Sequence, residues 1–436
     1  MVESVRPAVV QKSLFDRVAS EEGPCSFVVD GGHEVIARLV RGAAGGWHRT
    51  ELPLVPAAFD ASDLRASFDA AWLRRTARPW GPGGRRTLRS ADVFSGCGGL
   101  TLGVCDAAWA LGLGHETVLA IDLNATALRV FEENFRPRLA CCCPVESLFD
   151  GEVGRGLTAA ERRLRSRAGK VDLLVGGPPC QGHSDLNNHT RRRDDRNDLY
   201  ARMARCAEVL EADHVVIENV PGVVHDKGNV IGRTAARLLE MGYLVAERVL
   251  DATAVGVPQM RKRHFLVASR QVRLDLREMQ ETYRCPPRPL GWAIGDLLDA
   301  EGGSTFDTRA KHHAANVARI DYLFDHDLYD LPDARRPDCH RLKDHAYKAV
   351  YGRMRWDQPA PTITRGFGST GQGRFVHPRR RGTLTPHEAA RVQFFPDFVR
   401  FADLGRRALQ ELIGNAVPSK LASSVVLELL RSCRYG

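Results

Sequence analysis

At 436 residues the chain has room for two or three domains, and 43% apolar residues supply a proper core. No run approaches the ~18 apolar residues of a membrane span, the first residues lack the basic-then-apolar pattern of a signal peptide, and none of the eleven cysteines sits in a C-x-x-C pair. Membrane, secreted and zinc-ribbon classes are therefore set aside, the expected setting is cytoplasmic with free thiols and no metal, and a net charge of +9 points to a polyanionic partner.

In chain order, residues 1–85 carry strand-like material near Ser26–Val40 and a helix near Ser62–Thr76. They end in PWGPGGRR, which reads as a linker, so this part is expected to be an N-terminal extension of unknown role. From Thr87 the pattern alternates. RSADVFSG is a strand running into glycines, Leu100–Leu111 a helix, TVLAIDL (117–123) a strand and Asn124–Phe135 an amphipathic helix. VDLLVGG, HVVIENV (214–220) and RHFLVAS (263–269) read as further strands, with helices at Leu199–Leu210 and Ile231–Met241. Repeated strand–helix units predict an α/β fold, a mostly parallel sheet with helices on both faces. Periodicity fails over 271–381, which is expected to be a smaller, loop-rich domain. Helices return from Thr383, in PHEAARVQFF, Leu409–Leu412 and Ser419–Leu430. The partition is thus 1–85, 86–270, 271–381 and 382–436.

Several clusters carry chemistry. Cys180 ends the stiff loop GGPPC after a strand, where open α/β sheets place their ligand crevices; it is a candidate nucleophile, against the alternative of a buried structural thiol. The glycines Gly96, Gly98 and Gly99 open a helix without the G-x-G-x-x-G spacing, and Asp122 ends the next strand. Together they suggest an adenosine cofactor lacking a pyrophosphate, and disfavour a dinucleotide dehydrogenase. Glu218 ends an apolar strand, where desolvation should raise its pKa. Arg261 and Arg263 alternate at strand spacing and should point the same way, toward a phosphate or carbonyl oxygen. The Arg191–Arg196 run is a solvated face or a phosphate-contacting lid. The Cys141–Cys143 triplet reads as small buried filler, and Cys339–His340 lacks a second ligand pair.

The order DVFSGCGGL, GGPPCQGHS, ENV, QMRKR, TPHEAARVQFFPD, GNAVP resembles the DNA (cytosine-5) methyltransferases, from about Ala91 to Val426. The resemblance implies a Rossmann-like fold that binds S-adenosyl-L-methionine. Phe94, Gly96, Cys97 and Gly99 would line its methionine side, Asp122 would take the ribose, and Pro179, Leu199 and Asn415 would also contact it. It implies Cys180 as nucleophile, Glu218 engaging the cytosine, and Arg261 and Arg263 supporting it. Gln181, Ser184 and Gln259 would lie near the base or its phosphate, and Thr362 near the target nucleotide's backbone. Two positions depart from the family pattern. The acid expected for the adenine amino group falls near Pro144, with Glu146 as a substitute, and His183 stands where Phe or Pro commonly precedes the serine.

The resemblance further implies a flipped cytosine in double-stranded DNA, with 271–381 as the target-recognition domain. The expected role is bacterial-style modification, in restriction-modification or phage defence, with a partner nuclease or other defence-system proteins; the chain itself is expected to be a monomer. Two alternatives stand beside it: an RNA (tRNA) cytosine-5 methyltransferase of the same family, and a catalytically silent DNA-binding member.

Overall fold

The computed structural model describes residues 23–30, 34–80, 86–179, 198–299, 302–342, 349–401 and 403–433. Cys180, Gln181, His183, Ser184 and the Arg191–Arg196 run lie outside the described residues, as do 81–85 within the expected linker.

Strands β1 (Cys25–Asp30), β2 (Val35–Arg41) and β3 (Trp47–Pro53) form an antiparallel sheet. The helix Leu64–Leu73 follows, capped by Asp63, whose carboxylate accepts the amide of Ala66 at 2.7 Å. Its Phe68, Trp72 and Leu73 enter the same apolar cluster as Phe394, Phe398 and Leu409, near the other end of the chain.

The alternating middle of the chain builds the main sheet. Its strands are β4 (Thr87–Val93), β5 (Gly114–Asp122), β6 (Ala140–Cys142), β7 (Leu173–Gly176), β8 (His214–Asn219) and β9 (Leu244–Asp251), with β11 (Lys262–Ser269) after the two-residue β10 (Gln259–Met260). The order is β6-β5-β4-β7-β8-β11-β9. All run parallel except β11, which is antiparallel to both neighbours. Central strands read as unbroken apolar runs because both faces are covered. Leu88, Val175, Val216 and Phe265 pack against the helices Gly99–Ala110 and Ser419–Ser432, while Val93, Leu174, Ile217 and Leu266 pack against Asp198–Leu210 and Val230–Glu240.

Both edge strands depart from the sequence reading. No strand is expected at β9, because Glu247 and Arg248 interrupt its apolar pattern; as a half-exposed edge it needs only one covered face. The cysteine triplet is not buried filler: Cys141 and Cys142 form the opposite edge strand, and Cys142 is exposed.

The helices Gly99–Ala110 and Ser419–Ser432 touch backbone to backbone. A Cβ on Gly103 would sit 2.8 Å from the Ser419 carbonyl oxygen and 2.7 Å from the Ser423 amide nitrogen. This contact turns the last helix back onto the glycine cluster. Between 271 and 381 the described residues hold short helices, such as Leu290–Ile294 and Ala314–Asp325, and β12 (Ala360–Pro361), parallel to β10. Ile320, Leu323, Leu331 and Val376 form a small core of their own.

Candidate active site

The parallel register aligns the carboxyl ends of four strands: Val93 lies beside Ile121 and Gly176, and Gly176 beside Ile217. The residues that follow, Phe94, Asp122, Gly177 and Glu218, therefore share one edge of the sheet, where a ligand crevice is expected.

On one side stands the glycine loop. Phe94 takes a left-handed φ of 64°, costly for a bulky side chain, and Gly98 takes 90° at the helix start. A Cβ on Gly98 would lie 2.1 Å from the Phe135 ring, so only glycine fits. One on Gly99 would lie 2.5 Å from the Val417 carbonyl oxygen, which presses the GNAVP segment against this loop. At Gly96 a Cβ would meet no atom of the described residues within 4 Å, so among them the backbone there faces open space. The Gly96 amide donates to Asp122 Oδ2 at 2.7 Å, and the Asn124 amide to Oδ1 at 2.7 Å. Burial raises the Asp122 pKa, although these bonds oppose it. Each of its oxygens keeps a further lone pair for a hydroxyl donor.

Ser95 Oγ, beside Gly96, is buried and has no hydrogen-bond partner among the described residues. Open glycine backbone, a carboxylate with spare lone pairs and an unsatisfied hydroxyl together fit the polar part of an adenosine-containing methyl donor. The Cys97 thiol is buried 3.6 Å from the Leu412 carbonyl, and burial pushes its pKa up to about 12. It anchors the loop to the helix Arg406–Asn415 and offers its backbone, not its sulfur. Pro179 and Asn415 are exposed and Leu199 is half-buried, at the first turn of its helix. Glu146 is exposed on the turn after β6.

Asp92, just before the loop, accepts the Thr101 hydroxyl at 2.6 Å, and its other oxygen has no partner among the described residues. Burial carries its pKa up to about 7. A carboxyl whose folded-state pKa exceeds its unfolded value loses stability as pH climbs from the unfolded value, about 3.9, through the folded one. Asp92→Asn should therefore stabilise the fold by up to about 4 kcal/mol near pH 8, with the gain fading toward pH 4. Urea unfolding at the two pH values reads this directly; a gain that does not vary with pH would contradict it.

On the other side stands Glu218, buried at the end of β8. Burial raises its pKa, opposed by the charges of Arg263 and Arg261. Arg263 Nε lies 2.8 Å from Glu218 Oε1. A Cβ on Gly177 would be 3.4 Å from Glu218 Oε2, so the segment leading to Cys180 runs directly over this carboxyl group. Asn219 Nδ2 donates to the Pro178 carbonyl at 3.3 Å and pins that segment. The sequence reading missed Asn219, although a polar residue closing an apolar strand beside Glu218 is a usable signal. It also missed Tyr200, whose buried hydroxyl has no partner among the described residues and whose pKa is raised by burial and by the charges of Glu247 and Glu218.

Arg261 and Gln259 have different surroundings from those anticipated. Arg261 does not share a ligand face with Arg263: its Nη1 donates to the Ile363 carbonyl at 2.7 Å and its Nη2 to that of Ala416 at 3.0 Å. It lies in the gap between β10 and β11, where strand alternation does not govern direction. Gln259, expected near the base or its phosphate, is fully buried. Its Nε2 donates to Gln393 Oε1 at 2.9 Å and its Oε1 accepts the Ile363 amide at 2.8 Å, so it braces the protein interior. Thr362 is half-buried, its hydroxyl donating to the Met260 carbonyl at 2.5 Å.

With this geometry in place, comparison with known proteins is specific. Residues 88–431 match the model of the C-5 cytosine-specific DNA methylase family. The chain is 47% identical over 406 residues to the Type II methyltransferase M1.BsuMI of Bacillus subtilis, covering 93% of this chain and 95% of that protein. It is 29% identical over 354 residues to the Type II methylase M.HgiDII of Herpetosiphon aurantiacus, covering 78% and 94%. In fold it is similar to the S. pombe Dnmt2 methyltransferase, at a TM-score of 0.53 and 17% identity over 79% of this chain and 98% of that one. The chain belongs to the C-5 cytosine-specific DNA methylases.

Proposed function

We propose that the protein methylates C5 of a cytosine flipped out of duplex DNA, with Cys180 as nucleophile and S-adenosyl-L-methionine as donor. The observation that carries this reading is the Glu218–Arg263 pair, its carboxyl group buried beside Gly177 in the segment that leads to Cys180, at the same edge of the sheet as the Gly96–Asp122 loop.

When bound, S-adenosyl-L-methionine supplies an electrophilic methyl group. Phe94, Gly96, Gly99, Asp122, Pro179, Leu199 and Asn415 would hold it, with Asp122 accepting from the ribose hydroxyls. The Cys180 thiolate adds to C6 of the ring, and the displaced electron pair makes C5 nucleophilic. Glu218, in its raised-pKa acid form, gives or shares a proton at N3, and Arg263 quenches charge at O2. After C5 takes the methyl, a base removes the C5 proton, the freed electron pair re-forms the C5–C6 double bond and expels the thiolate, and N3 returns its proton to Glu218. Arg261 acts as a positioning residue, joining the chain beside β11 to the Ile363 and Ala416 segments.

DNA would approach over 271–381, the proposed target-recognition domain. Arg309, Lys311, Arg365, Arg355 and Arg379 are exposed there, the last two lying 4.0 Å and 4.1 Å over the rings of Tyr329 and Trp356. Such cations neutralise phosphates and release counterions. With about six phosphates contacted, affinity should fall on the order of a thousandfold between about 50 and about 200 mM salt. A titration flat across that range would contradict this placement.

The resemblance to Type II enzymes supports a modification role beside a partner nuclease, in the cytoplasm. The described residues contain no helix long and apolar enough to cross a membrane. The test is transfer of labelled methyl groups to unmethylated duplex DNA and to tRNA, side by side. Label in DNA alone is expected; label in tRNA alone, or in neither, overturns the reading.

A further inference from the structure

The family match begins at residue 88, so the helix Leu64–Leu73 lies outside it. That helix nevertheless holds the stretch 283–296, in the first part of the loop-rich region 271–381, just after the chain has left the sheet. Arg65 Nη1 donates to the Tyr283 carbonyl at 2.8 Å. Arg74, at the C-cap, donates to the Trp292 carbonyl at 3.0 Å and pairs with Asp296 at 2.6 Å. Asp296 is shared: Arg391, from the helix Pro386–Val392, reaches its other oxygen at 3.2 Å.

One turn on from Arg65, the same face of the helix also reaches the support of the glycine loop. Asp69, 1% exposed, binds Arg288 at 3.3 Å and also Lys420, three residues beyond the Val417 backbone that presses on Gly99. From the same module, Arg38 of β2 pairs with buried Asp106 of the helix Gly99–Ala110 at 2.9 Å. A charged chain thus runs from the glycine loop's helices through Asp69 to Arg288 and the segment beyond it. Leaving such buried ionic groups unpaired is strongly unfavourable, so the arrangement favours one relative placement of the parts it joins.

We propose that Leu64–Leu73 is a positioning element for methyl transfer, holding the 283–296 segment in register with the cofactor loop so that the DNA-reading region presents its cytosine at the Glu218 end of the sheet. This rests on the reading of 271–381 as the region that binds DNA. Misplacing a reactant by about 1 Å from a remote site costs up to about a hundredfold in rate.

The test is the full-length double variant Arg65→Gln/Arg74→Gln, which removes two clamps near the surface and leaves the buried Asp69 network whole. S-adenosyl-L-methionine binding without DNA and initial rates on unmethylated duplex DNA are measured together. Donor affinity is expected to stay within about twofold, while kcat/KM for DNA falls about tenfold or more. Arg65→Lys/Arg74→Lys should recover much of the loss. Arg49→Gln, which removes a guanidinium from the same module away from 283–296, should change neither quantity. An unchanged kcat/KM in the double glutamine variant overturns the proposal, and so does a joint, proportional fall in donor binding and rate. Should the double variant not fold, Arg74→Gln alone is judged by the same criteria. A wild-type protein that does not methylate duplex DNA would instead refute the functional reading beneath it.

Discussion

Cys180→Ala should abolish methyl transfer, lowering the rate by at least about ten-thousandfold. The reason lies in the ring. C5 of cytosine is a weak nucleophile toward a methyl sulfonium, and it becomes strong only when a thiolate has added at C6 and pushed electron density to C5. Addition requires an anionic, polarisable atom free to leave again, which a thiolate supplies and an alanine side chain does not. The step also leaves a trace. With 5-fluorocytosine in duplex DNA and the donor present, fluorine replaces the proton whose removal drives elimination, so the protein should remain covalently attached. Cys180→Ala should lose that adduct on a denaturing gel. Cys142→Ala, which removes an exposed thiol from an edge strand, should keep it. An adduct that survives Cys180→Ala would mean that another nucleophile does the chemistry.

Glu218→Gln should lower kcat by about a hundred- to ten-thousandfold while donor and DNA binding persist. Glutamine keeps the size of the side chain and can still hydrogen-bond N3, but it has no proton to transfer. It also removes the carboxylate that Arg263 holds at 2.8 Å, freeing the guanidinium to shift away from the base. Burial raises the Glu218 pKa, which keeps the acid form populated to higher pH than an exposed glutamate would. The proton donor is lost as pH rises through that raised pKa, so wild-type kcat should fall along this limb. In Glu218→Gln the limb should vanish. A variant of unchanged rate, or one that keeps the wild-type pH profile, would remove Glu218 from the chemistry.

What was legible in the sequence follows from how local each cause is. Glu218 stood out because a carboxylate ending an apolar strand is itself the physical anomaly. The glycine cluster was readable because Gly98 must adopt a conformation, and leave a space, that a side chain forbids. The direction of Arg261 was not readable, because the break between β10 and β11 ends the alternation on which the inference depended. Gln259 misled for a related reason: its partners, Ile363 and Gln393, arrive from more than a hundred residues away. The helix Ala159–Ala168 escaped notice because it has little apolar face. It is held by a capping box between Thr158 and Glu161 and by the buried Glu161–Arg205 pair. Burial alone would raise the Glu161 pKa, but bonds from Arg205 and from the Thr158 and Gly151 amides carry it down to about 2. The hold of Arg65 and Arg74 on 283–296 has no local signature, since each arginine alone looks like a solvated surface charge.

Covalent activation at C6 leaves the methyl group at one atom only. Unmethylated duplex DNA incubated with the protein and isotopically labelled S-adenosyl-L-methionine should be digested to nucleosides and resolved by mass spectrometry. All label should appear in 5-methyl-2′-deoxycytidine; label in N4-methyldeoxycytidine or N6-methyldeoxyadenosine would contradict attack through C5 and the role assigned to Cys180.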